Sequence, residues 1–226
     1  MTHLNFKHRF IPSPSLKQYS TTSDLNQKQR IKDNNDSFTF LLLHGTGGNE
    51  DDLIPVGQML SSSASLLSPR GKVMENGMPR FFKRLSEGVF DMEDLKFRTK
   101  ELADFVKEAS KVYSFDLNRT IAVGFSNGAN IAASLLLSYP ETIKGAILFR
   151  AMVPFIPDIL PELSGKKVLL SAGTFDPIVS KSQIEDLLKI LQKSGADANL
   201  KWQQSGHDLT QSDISNAKEW LEKISI

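Results

Sequence analysis

Residues 120–138 read TIAVGFSNGANIAASLLLS, and the organisation of the whole chain follows from this stretch. Residues 121–123 are an apolar run that favours a β-strand, whereas the small and leucine side chains after Gly128 have helical spacing. Residues 124–128, GFSNG, must therefore turn the chain directly from a strand into a helix. Such a turn strains its central residue and holds the side chain clear of the sheet, so Ser126 is a candidate nucleophile. The glycine at each end of the motif lies where any larger side chain would collide with the turn.

The composition limits the classes of protein to which the chain can belong. Its 226 residues, 40% of them hydrophobic, can bury one substantial core. The 27 basic and 26 acidic residues nearly balance, so there is no electrostatic reason to expect nucleic acid or an anionic membrane as a partner. There is no cysteine, which excludes disulfides, a thiolate nucleophile and a cysteine metal site. The N-terminus lacks the apolar core of a signal peptide, so we expect a soluble, cytoplasmic protein.

Strands and helices alternate along the chain. Apolar runs predict strands at Phe6–Ile11, Phe38–Leu43, Ala64–Ser68, Ile121–Val123, Gly145–Phe149, Lys167–Ser171 and Ala198–Gln203. Helical spacing predicts helices at 52–61, 95–113, 180–194 and 214–224, besides the one that follows Ser126 and ends at Pro140. This alternation predicts an α/β fold in a single domain, residues 1–226, with a mostly parallel central sheet and helices on both faces. The 17 residues 150–166 are too few for an independent helical cap, so we expect no separate lid domain.

Two segments have neither a strand nor a helix pattern. Residues 12–37 are polar, and we expect a surface loop or a partly disordered extension there. Residues 71–94 predict a long irregular loop that either covers the active site or packs on the core. Its large apolar side chains could form the wall of an acyl pocket, with charged residues such as Arg80 on the solvent side. These apolar residues are Met74, Met78, Phe81 and Phe82. Our candidates for substrate contacts are Phe81, Phe82, Met152 and Val179.

A serine hydroxyl needs two partners before it is an effective nucleophile at neutral pH. An imidazole takes its proton, and a carboxylate fixes the tautomer of the imidazole. His207 is the only histidine after Ser126, and it follows the last predicted strand. Asp176 follows the strand before it and is the candidate acid, since the order Ser, Asp, His accompanies this kind of serine turn. Asp186 and Asp197 also fit the order, but the first falls in a helix pattern and the second in a turn at the opposite edge of the sheet.

Amide donors would complete such a site, because acyl transfer develops an oxyanion. One candidate is the N–H of Asn127, which follows the nucleophile at a helix N-terminus. The other is the N–H of Thr46, in the glycine-rich loop 44–48, HGTGG. A phosphate-binding turn is the alternative for this loop, but no Lys-[Ser/Thr] follows as a P-loop requires. His44 precedes Ser126 in the chain, so we expect it to orient the loop by hydrogen bonding and not to act as the base.

Several motifs together resemble one known family. They are residues 42–48 (LLHGTGG), 68–71 (SPRG), 124–130 (GFSNGAN), 172–179 (AGTFDPIV) and 206–207 (GH). With them the chain is similar to the phospholipase/carboxylesterase group of α/β-hydrolases, which also contains the acyl-protein thioesterases. Residues 75–82 (ENGMPRFF) and 98–102 (RTKEL) resemble its bacterial branch, whose members are described as carboxylesterases associated with hydroquinone and thiol stress. The resemblance covers about residues 38–224.

The order of the site residues and the resemblance together predict a serine carboxylesterase with a Ser126-His207-Asp176 triad. If residues 71–94 wall a shallow acyl pocket, the expected substrates are small esters with short acyl groups. We expect no cofactor, and no metal because the sequence has no His/Asp/Glu cluster with ligand spacing; the expected partner is a small-molecule ester, and a homodimer is an open alternative. A thioesterase or lysophospholipase with the same triad is a further alternative, although acyl-protein thioesterases usually have glutamine at the position of Asn127. The last alternative is a non-catalytic protein that binds a ligand or partner, because one fold supports many functions.

Overall fold

The computed structural model describes residues 4–14 and 38–224. The strands are β1 His8–Ile11, β2 Thr39–Leu43, β3 Ser65–Pro69, β4 Val73–Glu75, β5 Met78–Arg80, β6 Arg84–Ser86, β7 Val89–Phe90, β8 Thr120–Phe125, β9 Gly145–Phe149, β10 Lys167–Gly173 and β11 Asp197–Gln203. The α-helices of the described residues are α1 Ile54–Leu60, α2 Met92–Tyr113, α3 Asn127–Ser138, α4 Lys181–Lys193 and α5 Gln211–Lys223.

Seven of the strands form one sheet, in the order β1-β3-β2-β8-β9-β10-β11. β1 runs antiparallel to β3, and every other pair of neighbours in this sheet is parallel. β2 (TFLLL) and β9 (GAILF) are buried at every position, as expected for parallel strands that are covered on both faces. The carboxyl ends of β2, β8, β9, β10 and β11 meet at one edge of the sheet, where ligands bind in open α/β sheets.

Helices cover both faces of the sheet. Leu41 and Leu43 of β2 point to the face that α2, α3 and α4 cover, while Phe40 and Leu42 point to the face that α1 and α5 cover. The alternation follows from the period of two along a strand, so a single apolar strand contributes to both layers of the core. The predicted fold class, a mostly parallel α/β sheet with helices on both faces, is confirmed.

Residues 71–94 are more regular than the sequence suggested. In place of one irregular loop they form two hairpins, β4–β5 and β6–β7. Both have glycine with positive φ at the turn, Gly77 at 80° and Gly88 at 73°, a conformation that glycine adopts without steric cost. Strands of two or three residues are too short to show a period in the sequence, which is why the prediction of an irregular loop was wrong.

Residues 180–183, SKSQ, have the spacing of a capping box, but only one of its two hydrogen bonds forms. Ser180 caps α4 by accepting a hydrogen bond from the N–H of Gln183 at 3.3 Å. The Gln183 side chain does not return the bond, as a capping box would require, but accepts from the N–H of Val153. The reciprocal box occurs at α5, between Thr210 and Asp213.

The polar segment 12–37 lies mostly outside the described residues, which resume at residue 38. Residues 150–166, which link β9 to β10, contain no helix, in keeping with the expected absence of a cap at this position. Among residues 4–14 and 38–224, no helix is both long and apolar enough to cross a bilayer.

Candidate active site

The turn between β8 and α3 holds Ser126 in a strained conformation. Its φ is 52° and its ψ is −116°, outside the regions that L-residues usually occupy. The turn is tight because α3 packs directly on the end of β2: a Cβ on Gly128 would lie 1.9 Å from the carbonyl oxygen of Leu43. The N–H of Ser126 donates to the carbonyl of Phe149 at 2.9 Å, which ties the turn to the neighbouring strand β9.

Three candidate side chains form a continuous hydrogen-bonded chain. His207 Nε2 lies 2.9 Å from Ser126 Oγ, and His207 Nδ1 lies 2.8 Å from Asp176 Oδ2. The other carboxylate oxygen, Asp176 Oδ1, accepts from the N–H groups of Ile178 and Val179 at 2.8 and 3.0 Å. The Asp176 side chain is only 1% exposed and that of His207 18%. In the neutral tautomer with the proton on Nδ1, this N–H donates a hydrogen bond to the Asp176 carboxylate, which leaves Nε2 to accept from the Ser126 hydroxyl.

The two competing acids lie elsewhere. Asp186 is on the exposed side of α4, 3.1 Å from Lys189. Asp197 pairs with Lys167 at the amino ends of β10 and β11, the opposite edge of the sheet from Ser126. Neither carboxylate contacts His207.

The loop after β2 brings Thr46 next to Asn127. Both residues line the cavity that contains Ser126 and His207. Two neighbouring amides have backbone acceptors: the N–H of Gly47 donates to Pro79 O and that of Gly48 to Gly45 O. Among the described residues, the N–H groups of Thr46 and Asn127, at the cavity wall, have no backbone acceptor.

His44 connects three segments below this loop. Its Nδ1–H donates to the carbonyl of Gly45 at 2.7 Å, and its Nε2 accepts from the N–H of Gly71 at 2.9 Å. The residue is 1% exposed, and its ring lies 4.7 Å from that of Phe81. Burial lowers the pKa of His44 below its ordinary value, although the bond to Gly45 opposes this. The imidazole is therefore neutral, and it orients the loop as the sequence predicted.

The cavity above Ser126 has a volume of about 210 Å³. Its lining is mixed apolar and polar, and it comprises Thr46, Arg80, Arg84, Glu87, Gly88, Phe90, Phe125, Ser126, Asn127, Asn130, Met152, Ile178 and His207. Of the four candidates for substrate contacts, Met152 lines the cavity and the other three do not.

Phe81, Phe82 and Val179 have different positions from those expected. Phe81 and Phe82 are 2% and 0% exposed and belong to the main core cluster. Phe82 packs edge-on against Phe90, with ring centroids 5.0 Å apart. Val179 is buried, and its backbone N–H supports Asp176. The hairpins do face the cavity, but through Arg80, Arg84 and Phe90, so the assignment of Arg80 to a solvent side was wrong.

Sequence reasoning also missed Arg150, which follows β9 and is fully buried. Its guanidinium donates to both carboxylate oxygens of Asp213 at 2.8 Å. It also holds the loop that carries His207, through Gly206 O at 3.0 Å, Asp208 O at 2.8 Å and Ser205 Oγ at 3.0 Å. An arginine directly after a continuous apolar strand was the available signal, but arginine is seldom fully buried unless it is paired.

Asp213 is the counterion that makes this burial possible. Burial alone would raise the pKa of Asp213, but hydrogen bonds from Arg150, Ser171 and Thr210 outweigh it and the pKa is lowered. Asp213 also belongs to the cap of α5, so one carboxylate joins Arg150, the helix start and the His207 loop. We regard Arg150 as a positioning residue, since the residues that it contacts flank His207.

The fold and the elbow at Ser126 define an α/β-hydrolase. A family model described as Phospholipase/Carboxylesterase matches residues 27–225, so the chain belongs to the phospholipase/carboxylesterase family. It is an ester-hydrolysing enzyme of that family.

Two further comparisons agree with this assignment. The chain is 54% identical over 186 residues to MhqD of Bacillus subtilis (strain 168), with 82% of this chain and 93% of MhqD covered. Among solved structures, a Bacillus cereus carboxylesterase superimposes with a TM-score of 0.86 at 47% identity, over 97% of this chain and 94% of that one. YahD, solved with malic acid, gives a TM-score of 0.83 at 30% identity, over 96% and 98% of the two chains.

Replacing Arg150 tests its positioning role. Arg150→Met leaves Asp213 buried without its cation, so the free energy of unfolding should fall by about 3–5 kcal/mol. Ester-hydrolysis kcat/KM should fall by about 100-fold at a temperature where the variant is folded, because the His207 loop loses three anchors. Arg9→Met is the matched control: its ion pair with Asp51 is 59% and 61% exposed, and its loss should cost less than about 1 kcal/mol. Folded Arg150→Met with wild-type kcat/KM would show that the residue does not position His207.

The buried neutral His44 predicts a specific pH dependence of stability. The unfolded chain takes up a proton on this imidazole near pH 6.5, whereas the folded protein takes it up only at lower pH. The unfolded state therefore binds more protons below about pH 6.5, and the free energy of unfolding should fall there by up to about 1.4 kcal/mol per pH unit.

Urea unfolding at pH 7.5 and pH 5.5 measures this effect. Between these two pH values, the free energy of unfolding of the wild type should fall by about 1 kcal/mol more than that of His44→Gln. The lowered pKa values of Glu50 and Asp213 affect the free energy of unfolding only at lower pH, since both carboxyl groups titrate below about pH 5 in the unfolded chain. An equal fall in the free energy of unfolding of the wild type and of His44→Gln would mean that His44 does not cause this pH dependence.

Proposed function

We propose that this enzyme is a serine carboxylesterase that hydrolyses small esters with short acyl groups through an acyl-enzyme. The observation that carries the proposal is the chain of two hydrogen bonds, 2.9 Å from Ser126 Oγ to His207 Nε2 and 2.8 Å from His207 Nδ1 to Asp176 Oδ2. Nucleophile, base and orienting acid are already within the distances that proton transfer requires.

The reaction would proceed in two halves. Ser126 Oγ attacks the ester carbonyl carbon while His207 Nε2 takes the hydroxyl proton, and the imidazolium then gives that proton to the departing alkoxide, which leaves as the alcohol. Water attacks the acyl-enzyme with His207 again as base, and the carboxylic acid is released as Ser126 regains its proton. Asp176 holds His207 in the required tautomer throughout.

The carbonyl oxygen becomes negatively charged in each half of this cycle. The amides of Thr46 and Asn127 are the donors suited to stabilise it, and the loss of one such donor typically costs about 3–4 kcal/mol of barrier. Asn127 is the first residue of α3, so the positive end of the helix dipole adds to the effect. His44 supports this step indirectly, because it fixes the loop on which Thr46 lies.

The preference for small substrates follows from the size of the cavity. Its volume of about 210 Å³ is below the roughly 300–1,000 Å³ of pockets that enclose drug-sized ligands. Arg80 and Arg84 on its wall also make it a poor site for a long alkyl chain. These two features favour a short-chain esterase over a lysophospholipase with the same triad.

Kinetics of three variants test the catalytic assignment. Ser126→Ala and His207→Ala should each lower kcat for 4-nitrophenyl acetate by about 10⁴–10⁶-fold with little change in melting temperature, and Asp176→Asn should cost somewhat less. Ser138→Ala, at an exposed position near the end of α3, is the matched control and should keep wild-type kcat.

Chain length and metal dependence are measured on the same protein. The 4-nitrophenyl acetate ester should be hydrolysed with a higher kcat/KM than the decanoate ester or a long-chain acyl-CoA, and addition of EDTA should leave all rates unchanged. Wild-type turnover in Ser126→Ala, a preference for decanoate, or activity that EDTA removes and metal restores would each contradict the proposal.

A further inference from the structure

The wall of the cavity contains a buried cation that the reaction itself does not use. Arg80 lies at the end of β5, and its side chain is only 4% exposed. It lines the cavity together with Ser126 and His207. A buried guanidinium loses most of its hydration, so its partners indicate whether the protein alone compensates the charge.

The protein satisfies one side of this guanidinium. Arg80 Nε donates to the carbonyl of Phe82 at 3.2 Å, and Nη1 donates to Thr46 Oγ1 at 3.0 Å. Nη1 also lies 3.1 Å from Glu75 Oε2, but this carboxylate oxygen has no hydrogen-bonded partner among the described residues. In that part of the chain, Arg80 Nη2 makes no hydrogen bond, and it is not among the fully enclosed polar atoms. Because Arg80 lines the cavity, this amino group is the donor that the residue has left for a ligand there.

The counter-charge is also incomplete. Glu75 is shared, because its Oε1 accepts from Arg84 Nε at 2.8 Å. Two arginines and one glutamate leave this cluster with a formal charge of +1. Burial lowers the pKa of Arg80, with Glu75 opposing and Arg84 adding to the effect, as expected for an under-compensated cation. Glu87 also lines the cavity but is exposed at the second hairpin, so water screens its charge.

From this arrangement, and resting on the proposed esterase function, we propose that the substrate is a short ester with a free carboxylate, which Arg80 binds through Nη2 with Arg84 beside it. A carboxylate oxygen accepts strongly from a guanidinium, and burial of the arginine strengthens the pair because the effective dielectric constant around it is lower. The cavity is too small for a large anionic group next to the reacting ester, which favours half-esters of small dicarboxylic acids or acyl esters of small hydroxy acids.

A purely structural role for Arg80 makes a different prediction. Arg80 supports Thr46, and Pro79 O accepts from Gly47 N at 2.9 Å, so the β4–β5 hairpin also braces the oxyanion loop. Loss of that support alone would slow neutral and anionic esters by the same factor. The ratio of kcat/KM for matched anionic and neutral esters therefore separates binding from bracing.

Two matched pairs of esters provide this ratio, one for each part of the substrate. Monomethyl succinate and methyl butyrate differ by a carboxylate on the acyl side, and acetoxyacetate and ethyl acetate differ by one on the alcohol side. Acid release is followed in a pH-stat at pH 7.5 in low salt. In at least one pair, the wild type should favour the anionic ester by about tenfold or more, the effect of one charged hydrogen bond.

Three variants assign the preference to Arg80. Arg80→Gln should abolish it, so that the anionic ester loses about 10–100-fold more kcat/KM than its neutral partner. Arg80→Lys should keep part of the preference, since it keeps the charge but not the fork of donors. Lys83→Gln, which removes an exposed positive charge three residues along the chain, should leave the ratio unchanged.

The results distinguish this inference from the esterase assignment. Hydrolysis of both neutral esters that depends on Ser126, without a wild-type preference for either anionic ester, overturns the carboxylate site and leaves the esterase assignment intact. An Arg80→Gln variant that slows both members of each pair equally also overturns it. If Arg80→Gln does not fold, the wild-type ratios and Arg84→Gln, which should reduce the preference, decide the question.

Discussion

The packing of α3 against the end of β2 is the contact from which the geometry of the active site follows. The space between the Gly128 Cα and the Leu43 carbonyl does not admit even a methyl group. β8 ends at Phe125 and α3 begins at Asn127, so Ser126 alone makes the turn and takes the strain as a positive φ. The same approach places the amino end of α3 beside the glycine-rich loop 44–48, so that Ser126, the helix dipole and this loop are positioned by one contact.

The histidine side of the site is held both by close packing and by a buried arginine. The loop that carries His207 packs on β10, where a Cβ on Gly173 would lie 2.1 Å from the carbonyl oxygen of Gly206. Arg150 adds hydrogen bonds to this loop from the end of β9, with Asp213 as its counterion. A buried ion pair of this kind contributes little to net stability, because desolvation offsets its attraction. Its value here lies in geometry, since the pair joins β9, the His207 loop and the start of α5 at one point.

The sequence allowed prediction of the features that depend on hydrophobic period and on residue order. It did not allow prediction of very short strands or of buried charged residues. The sheet and helices were predictable because apolar runs and helical spacing extend over whole elements, and the positions of Ser126, Asp176 and His207 follow from the ends of those strands. The hairpins of 71–94 were not, since strands of two or three residues carry no period. Phe81 and Phe82 were assigned to the cavity because they are large and apolar, yet they fill the core, while Arg80 reaches the cavity because Thr46 and Glu75 satisfy part of its charge.

Covalent labelling of the nucleophile is the most direct measurement of whether Ser126 acts as this account requires. A fluorophosphonate reacts with a serine only where a base activates the hydroxyl, so the mass of the intact protein and of its peptides reports the activated residue. The account predicts a single adduct on the wild-type protein, located on Ser126, and none on Ser126→Ala treated in the same way. An adduct on another serine, or equal labelling of Ser126→Ala, would contradict it.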